Sequence, residues 1–145
     1  MVLLGTYVIV SVYMGKADDE KHILPNGFTG PVLIFFNQRD GVDVPIEDGT
    51  RIYRIPKSGK LVTSLPPNYG WGFFSYYYDN GVSIPQAEPG EPSNRPDTGV
   101  QIWDNRVGVG GVPGRDEYSY KSYTVGKSKD IDSLYKLGEK MLFEH

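Results

Sequence analysis

Apolar and polar residues alternate in short runs along most of this chain, and Gly, Pro and Asn cut the runs before any helical period can establish itself. Pro31-Val-Leu-Ile-Phe-Phe36 is a continuous apolar run bounded by turn residues, the pattern of a strand buried on both faces. Thr50-Arg-Ile-Tyr-Arg-Ile55 alternates, with Thr50, Ile52 and Arg54 on one face and Arg51, Tyr53 and Ile55 on the other. Pro56-Lys-Ser-Gly59 then supplies a tight turn, so Lys60–Leu65 is expected to fold back on 50–55 as a hairpin. The aromatic run 71–78, ended by Asp79-Asn80-Gly81, predicts a further strand. Residues 100–103 and 106–109 read as two short strands around an Asp104-Asn105 turn, 110–114 as a glycine loop, and 118–125 as a last strand. Four prolines between 85 and 96 mark an extended exposed loop.

Both ends of the chain break this pattern. From Ser128 onward Ile131, Leu134, Tyr135, Met141 and Leu142 recur at helical spacing with Gly138 on the same stripe, which predicts one helix over 128–144 with Ser128 as its cap. Met1 to Gly15 carries no charge, and Lys16-Ala-Asp-Asp-Glu-Lys21 turns abruptly polar and reads as a linker. Fifteen residues are short for a bilayer span, which needs about 20, and match the core of an export signal or signal anchor over 1–17. The alternation of Thr6, Val8, Val10 and Val12 with Tyr7, Ile9, Ser11 and Tyr13 also fits a buried first strand, in which case the protein is cytoplasmic. The expected architecture is an all-β domain over 22–127, a two-layer sandwich of about seven strands, closed by the C-terminal helix.

Composition supports a folded, turn-rich domain. The 18 Gly and 11 Pro make up one residue in five of 145, against a helical bundle, while 11 Tyr, 6 Phe and 2 Trp argue against disorder. No Cys and only His22 and His145 remove disulfides, thiol nucleophiles and Cys/His zinc sites. A net charge of −3 with scattered Lys and Arg excludes a basic stripe, so nucleic acid is not expected as a partner.

Candidate chemistry is correspondingly thin. Gly108-Val-Gly-Gly-Val-Pro-Gly114 resembles a phosphate loop only superficially, because Pro113 takes a glycine position and a strand follows instead of a helix. Asp40, Asp43, Glu47 and Asp48 gather four carboxylates, a weak calcium candidate without the alternate spacing of an EF-hand. His22 is left as the one base for Ser/His catalysis, yet no Gly-x-Ser-x-Gly elbow exists. No catalytic residue, cofactor or metal is assigned. The aromatic strand is the clearest binding candidate: Trp71, Tyr76 and Tyr78 offer rings for a glycan or peptide if their face is free, and the C-terminal helix is the element that would cover it.

Three segments carry a resemblance. Leu24-Pro-Asn-Gly-Phe-Thr-Gly-Pro-Val32, Arg51-x-Tyr53-x-Ile55-Pro56-x-x-Gly59-x-Leu61 and Tyr123-x-Val125-Gly126 resemble an uncharacterised family of small exported bacterial domains, over residues 22–140. The chain departs from it in having no lipoprotein-type Cys, and in Leu24 where Ile is commoner. A weaker likeness, in the Ile-Pro-x-x-Gly segment, is to transthyretin-like sandwiches. The resemblance implies export and a compact β domain, and it transfers no site. The functional expectation is therefore a non-enzymatic exported or envelope domain acting by contact with a protein. Alternatives are a glycan- or peptide-binding module and a carboxylate-dependent hydrolase.

Overall fold

The structure is a computed structural model that describes residues 16–89 and 99–145. The export or anchor reading of 1–17 lies outside the described residues up to Gly15. Among the described residues eight strands form two four-stranded sheets: β1 (Asp19–Leu24), β2 (Gly30–Phe35), β3 (Ile46–Glu47), β4 (Thr50–Arg54), β5 (Lys60–Val62), β6 (Phe74–Tyr78), β7 (Gln101–Gly110) and β8 (Tyr118–Gly126). The first sheet runs β3-β4-β1-β6 and the second β5-β2-β8-β7. The 3-10 turn Ser128–Asp130 leads into one helix, α1 (Ile131–Phe143).

The sandwich with a C-terminal helix is as expected, and the connections differ in informative ways. β1 occupies the stretch that hydropathy reads as a linker, and it is a central strand paired in parallel with both β4 and β6. Its inward positions are Glu20, His22 and Leu24, all buried, while Lys21 between them is exposed. Two of the three inward side chains are polar, so alternation is present but invisible to a scale that counts them as surface.

The expected hairpin of 50–55 with 60–65 does not form, because β4 and β5 belong to different sheets. The turn itself is present, with the Gly59 amide donating to the Pro56 carbonyl at 2.9 Å. Gly59 sits at φ +79°, and a Cβ there would lie 2.3 Å from the Pro31 carbonyl oxygen. That close approach places the turn over β2, so the chain leaves the first sheet and adds β5 in parallel to β2 in the second. Turn residues specify that the chain bends, and the neighbour the bend packs against decides the pairing. The alternation on β4 holds, with Arg51, Tyr53 and Ile55 inward.

β7 is one ten-residue strand instead of two. Asp104, at φ 52°, and Asn105 form a bulge where the register with β8 shifts between Trp103 and Arg106. The strand continues through Gly108 and Gly110 because the rings of Tyr120 and Tyr118 lie across them, 2.6 Å from where a Cβ would stand. α1 packs on the outer face of the second sheet, over β2 and β8, with Gly138 against Pro31. All six residues of β2 are buried, as its apolar run predicts. Ser128 provides no side-chain cap. The helix does not cover the aromatic strand, which is in the other sheet.

Gly59→Ala adds a methyl where the backbone is left-handed and another strand's carbonyl already stands, so it is expected to destabilise the fold by about 2–3 kcal/mol. Urea denaturation beside Gly49→Ala, whose added Cβ meets nothing within 4 Å, separates the contact from the cost of φ alone.

Candidate functional site

β1 and β8 run in the same sense on facing sheets, so their inward residues meet two by two. Lys121 Nζ donates to Glu20 Oε1 at 2.8 Å, and the next pair inward is His22 with Tyr123, whose hydroxyl lies 2.9 Å from Nδ1. Beyond them Leu24 and Val125 belong to the apolar core. His22 Nε2 stands 2.7 Å from the same Glu20 oxygen, and Asn68 Nδ2 donates to Glu20 Oε2 at 2.7 Å. The imidazole lies between the rings of Tyr53 and Tyr76, with centroids at 4.9 and 4.7 Å, and meets the edge of Tyr123. Lys121 Nζ also sits 4.1 Å from the centroid of Phe74.

Loops tie into the same cluster. Asn68 accepts from the Asp18 amide and donates to its carbonyl, fixing the 64–70 loop to the start of β1. The Arg51 guanidinium donates to Tyr53, to the Pro66 carbonyl at 2.7 Å and to Asp18 at 3.0 Å. Asn105, at the β7 bulge, donates to the Tyr76 hydroxyl. A surface depression of about 470 Å³ reaches this end of the core, lined by Asn68, Phe74, Asn105 and Lys121 among others.

The electrostatics assign the protons. Burial would raise the Glu20 carboxyl, but the hydrogen bond from His22 and the charge of Lys121 outweigh it and hold it down at about 2. Burial, with Lys121 nearby, takes His22 down to about 4 against the pull of Glu20. Burial likewise lowers Lys121, opposed by Glu20, and raises Tyr123 and Tyr76; Tyr53 is pushed up to about 12. At neutral pH a neutral His22 therefore donates from Nε2 to a carboxylate and accepts on Nδ1 from the Tyr123 hydroxyl. Both ring nitrogens and both Glu20 oxygens are engaged. Among the described residues no buried side-chain nitrogen or oxygen lacks a partner. The cluster joins two sheets and keeps no free nucleophile, base or acid. Glu20 is the buried carboxyl of the described core, and its lowered pKa is opposite to what a hydrolase acid requires.

The residues singled out by sequence are placed differently. Tyr76 is buried in this cluster, and Tyr78 is half-buried with its hydroxyl donating to the Phe28 carbonyl at 2.8 Å. Trp71 is 61% exposed and lies beyond the start of β6. The three do not form one platform, because alternate residues of a strand share a face and the face of Tyr76 is the core. Among the described residues no three acidic or His side chains converge as a metal site, and this holds for Asp40, Asp43, Asp48 and Glu47, the last of them on β3. His22 is a core residue and not an available base. Lys121 and Glu20 carried one sequence signal, the shared two-residue spacing with Tyr123 and His22.

Outside this locked interior, the same end of the sandwich is apolar on its surface. Tyr69, Trp71 and Phe73 alternate on the loop into β6, Val107 and Val109 stand on the last part of β7 with Val112 just after it, and Phe143 closes α1; all are exposed. Parallel β1 and β6, and β8 running in the same sense, place these segments at one end. The Pro56–Gly59 turn and Val82 lie at the other.

The unfolded chain protonates His22 near its ordinary 6.5, whereas the folded chain resists until about 4. The unfolded state therefore holds the extra proton between these values, and stability is expected to fall by about 3 kcal/mol as pH drops through that window. Glu20 continues the loss with the same sign between 4.5 and about 2. Denaturant midpoints at pH 7, 5.5 and 4.5 check this, with His22→Leu expected to flatten the upper window. Lys121→Met strands the carboxylate and is expected to cost about 3–5 kcal/mol, with part of the loss recovered when Glu20→Gln is added.

Comparison with known proteins adds the following. Residues 16–84 match the model of a family of unknown function, DUF6843, in line with the uncharacterised family that the sequence resembles. No curated protein matches the chain. The fold is similar to the crystal structure of a candidate lipoprotein from Bacillus anthracis, at 14% identity and a TM-score of 0.52 over 74% of this chain and 69% of that one. At that identity the likeness is one of fold.

Proposed function

We propose that this protein is an exported or envelope-associated β domain that is not an enzyme and acts by contact through the apolar end of its sandwich. The observation that carries this reading is the division of labour at that end. The ionisable side chains that could do chemistry, Glu20, His22 and Lys121, are buried and saturated by one another. The side chains left outside are Trp71 at 61% and Phe73 at 76% exposure, with Tyr69 and the valines at and just after the end of β7. Exposed aromatic and aliphatic side chains grouped in one region mark an interaction surface more than a solvent-facing one. Export is supported by the charge-free run over residues 1–15 and by the likeness to a candidate lipoprotein. A glycan- or peptide-binding strand face built on Tyr76 loses its central residue to the core, so Trp71 is the member of that set retained for contact.

A photo-reactive residue placed in living cells at position 71 or 109 tests the reading, because it captures protein, lipid and glycan alike. The chain is expected to fractionate with the envelope or the medium, and positions 71 and 109 to yield adducts. Position 57, in the turn at the far end, is expected to yield none. A chain retained in the cytoplasm, or equal labelling at all three positions, overturns the proposal.

A further inference from the structure

The surface just described has a second property: it is where the chain joins its charge-free run. Lys16 makes a bridge with Trp71, the Ala17 amide donates to the Trp71 carbonyl at 2.7 Å, and the Lys16 ammonium lies 4.8 Å from the Trp71 ring. Lys16, the residue that follows the uncharged stretch in sequence, is thus bridged to the more exposed of the two tryptophans. From this junction, and resting on the contact reading above, we infer that the partner of the apolar end is a lipid bilayer surface, with the Tyr69–Phe73 loop seated among the headgroups.

Three observations favour lipid over a protein. Tyr69, Trp71 and Phe73 beside Lys16 are the residue types that settle at the water–hydrocarbon boundary, where an aromatic body enters the acyl region and a polar tip or ammonium stays wet. The uncharged run is shorter than the roughly 20 residues that cross a bilayer, so a chain held by it is held with its junction at the surface. Trp71, bridged to that junction, is carried there with it. Charge narrows the lipid class. Asp18, Asp19, Glu47 and Asp48 sit around the starts of β1 and β4 at this end; Arg51 engages Asp18 at 3.0 Å and Lys16 engages Asp19 at 3.1 Å, while Glu47 and Asp48 are exposed. Such a surface is repelled by anionic headgroups and relies on apolar insertion, which selects zwitterionic lipid.

The test uses the full chain with phosphatidylcholine vesicles, some carrying acyl chains brominated close to the headgroup. The protein has two tryptophans, and Trp103 is buried with its indole donating to the Gly126 carbonyl. Subtracting the emission of Trp71→Phe from that of the wild-type chain therefore reports Trp71 alone, in a variant whose changed side chain is exposed. The Trp71 signal is expected to shift to shorter wavelength on vesicle addition and to lose intensity to the bromine, with replacement of phosphatidylcholine by phosphatidylglycerol weakening both. Co-sedimentation of the chain with an unshifted, unquenched Trp71 overturns the seated loop. Failure to co-sediment overturns the lipid partner, and protein adducts at position 71 in cells would then assign the surface to a protein while leaving the contact reading intact.

Discussion

A carboxylate is tolerable in a dry protein interior only if donors replace the water it gives up. Glu20 meets that condition with donors from three parts of the chain: His22 from its own strand, Lys121 from the opposite sheet and Asn68 from the loop that closes the end, while Tyr123, on the strand of Lys121, fixes the imidazole. The rest of the architecture is organised by this demand. β1 must lie over β8 with Glu20 opposite Lys121, since a slip of one residue would turn Lys21 inward and leave both charges unpaired. The two sheets are thus held in a single relative register by a polar contact, where an all-aliphatic interface would tolerate sliding.

The aromatic residues complete the constraint. Tyr53 and Tyr76 clamp the imidazole from either side, and their own hydroxyls are taken by Arg51 and Asn105. Arg51 reaches onward to Asp18 and the Pro66 carbonyl, and the bulge at Asp104-Asn105 turns Asn105 toward Tyr76. Features that look unrelated in the chain, an acidic segment, a bulge and the loop carrying Pro66 and Asn68, are therefore parts of one hydrogen-bonded shell. Chemistry that would read as catalytic in an open cleft serves here as inter-sheet adhesive, because each buried side-chain nitrogen and oxygen of the cluster already has a partner.

The polar interior and the apolar exterior of the same end are complementary consequences of this arrangement. Placing Glu20, Arg51 and Lys121 inside shortens the apolar core toward the opposite end, where Leu24, Ile55 and Val125 lie. The rings that precede β6 then have no core to enter and face outward beside Lys16. In the proposed function, this end, rimmed with aromatic residues and preceded in the sequence by the uncharged run, is the contact surface.

The sequence by itself determined the class of fold and the places where the chain bends. The apolar run of β2 announced a strand covered on both faces, the alternation in β4 assigned its inward side, and the 3.6-residue stripe located α1, because each depends on local period and burial. Tertiary structure alone decided what paired with what. A Pro-x-x-Gly turn is the same local object whether it returns to its own sheet or crosses to the other, and Pro31 beneath Gly59 chose the crossing. Glu20 and His22 score as surface residues until the partner that neutralises them, about a hundred positions away, is brought into contact. The linker that became the central strand and the aromatic triad that came apart share that cause: the sign of a polar side chain's contribution is set by neighbours that only the fold supplies.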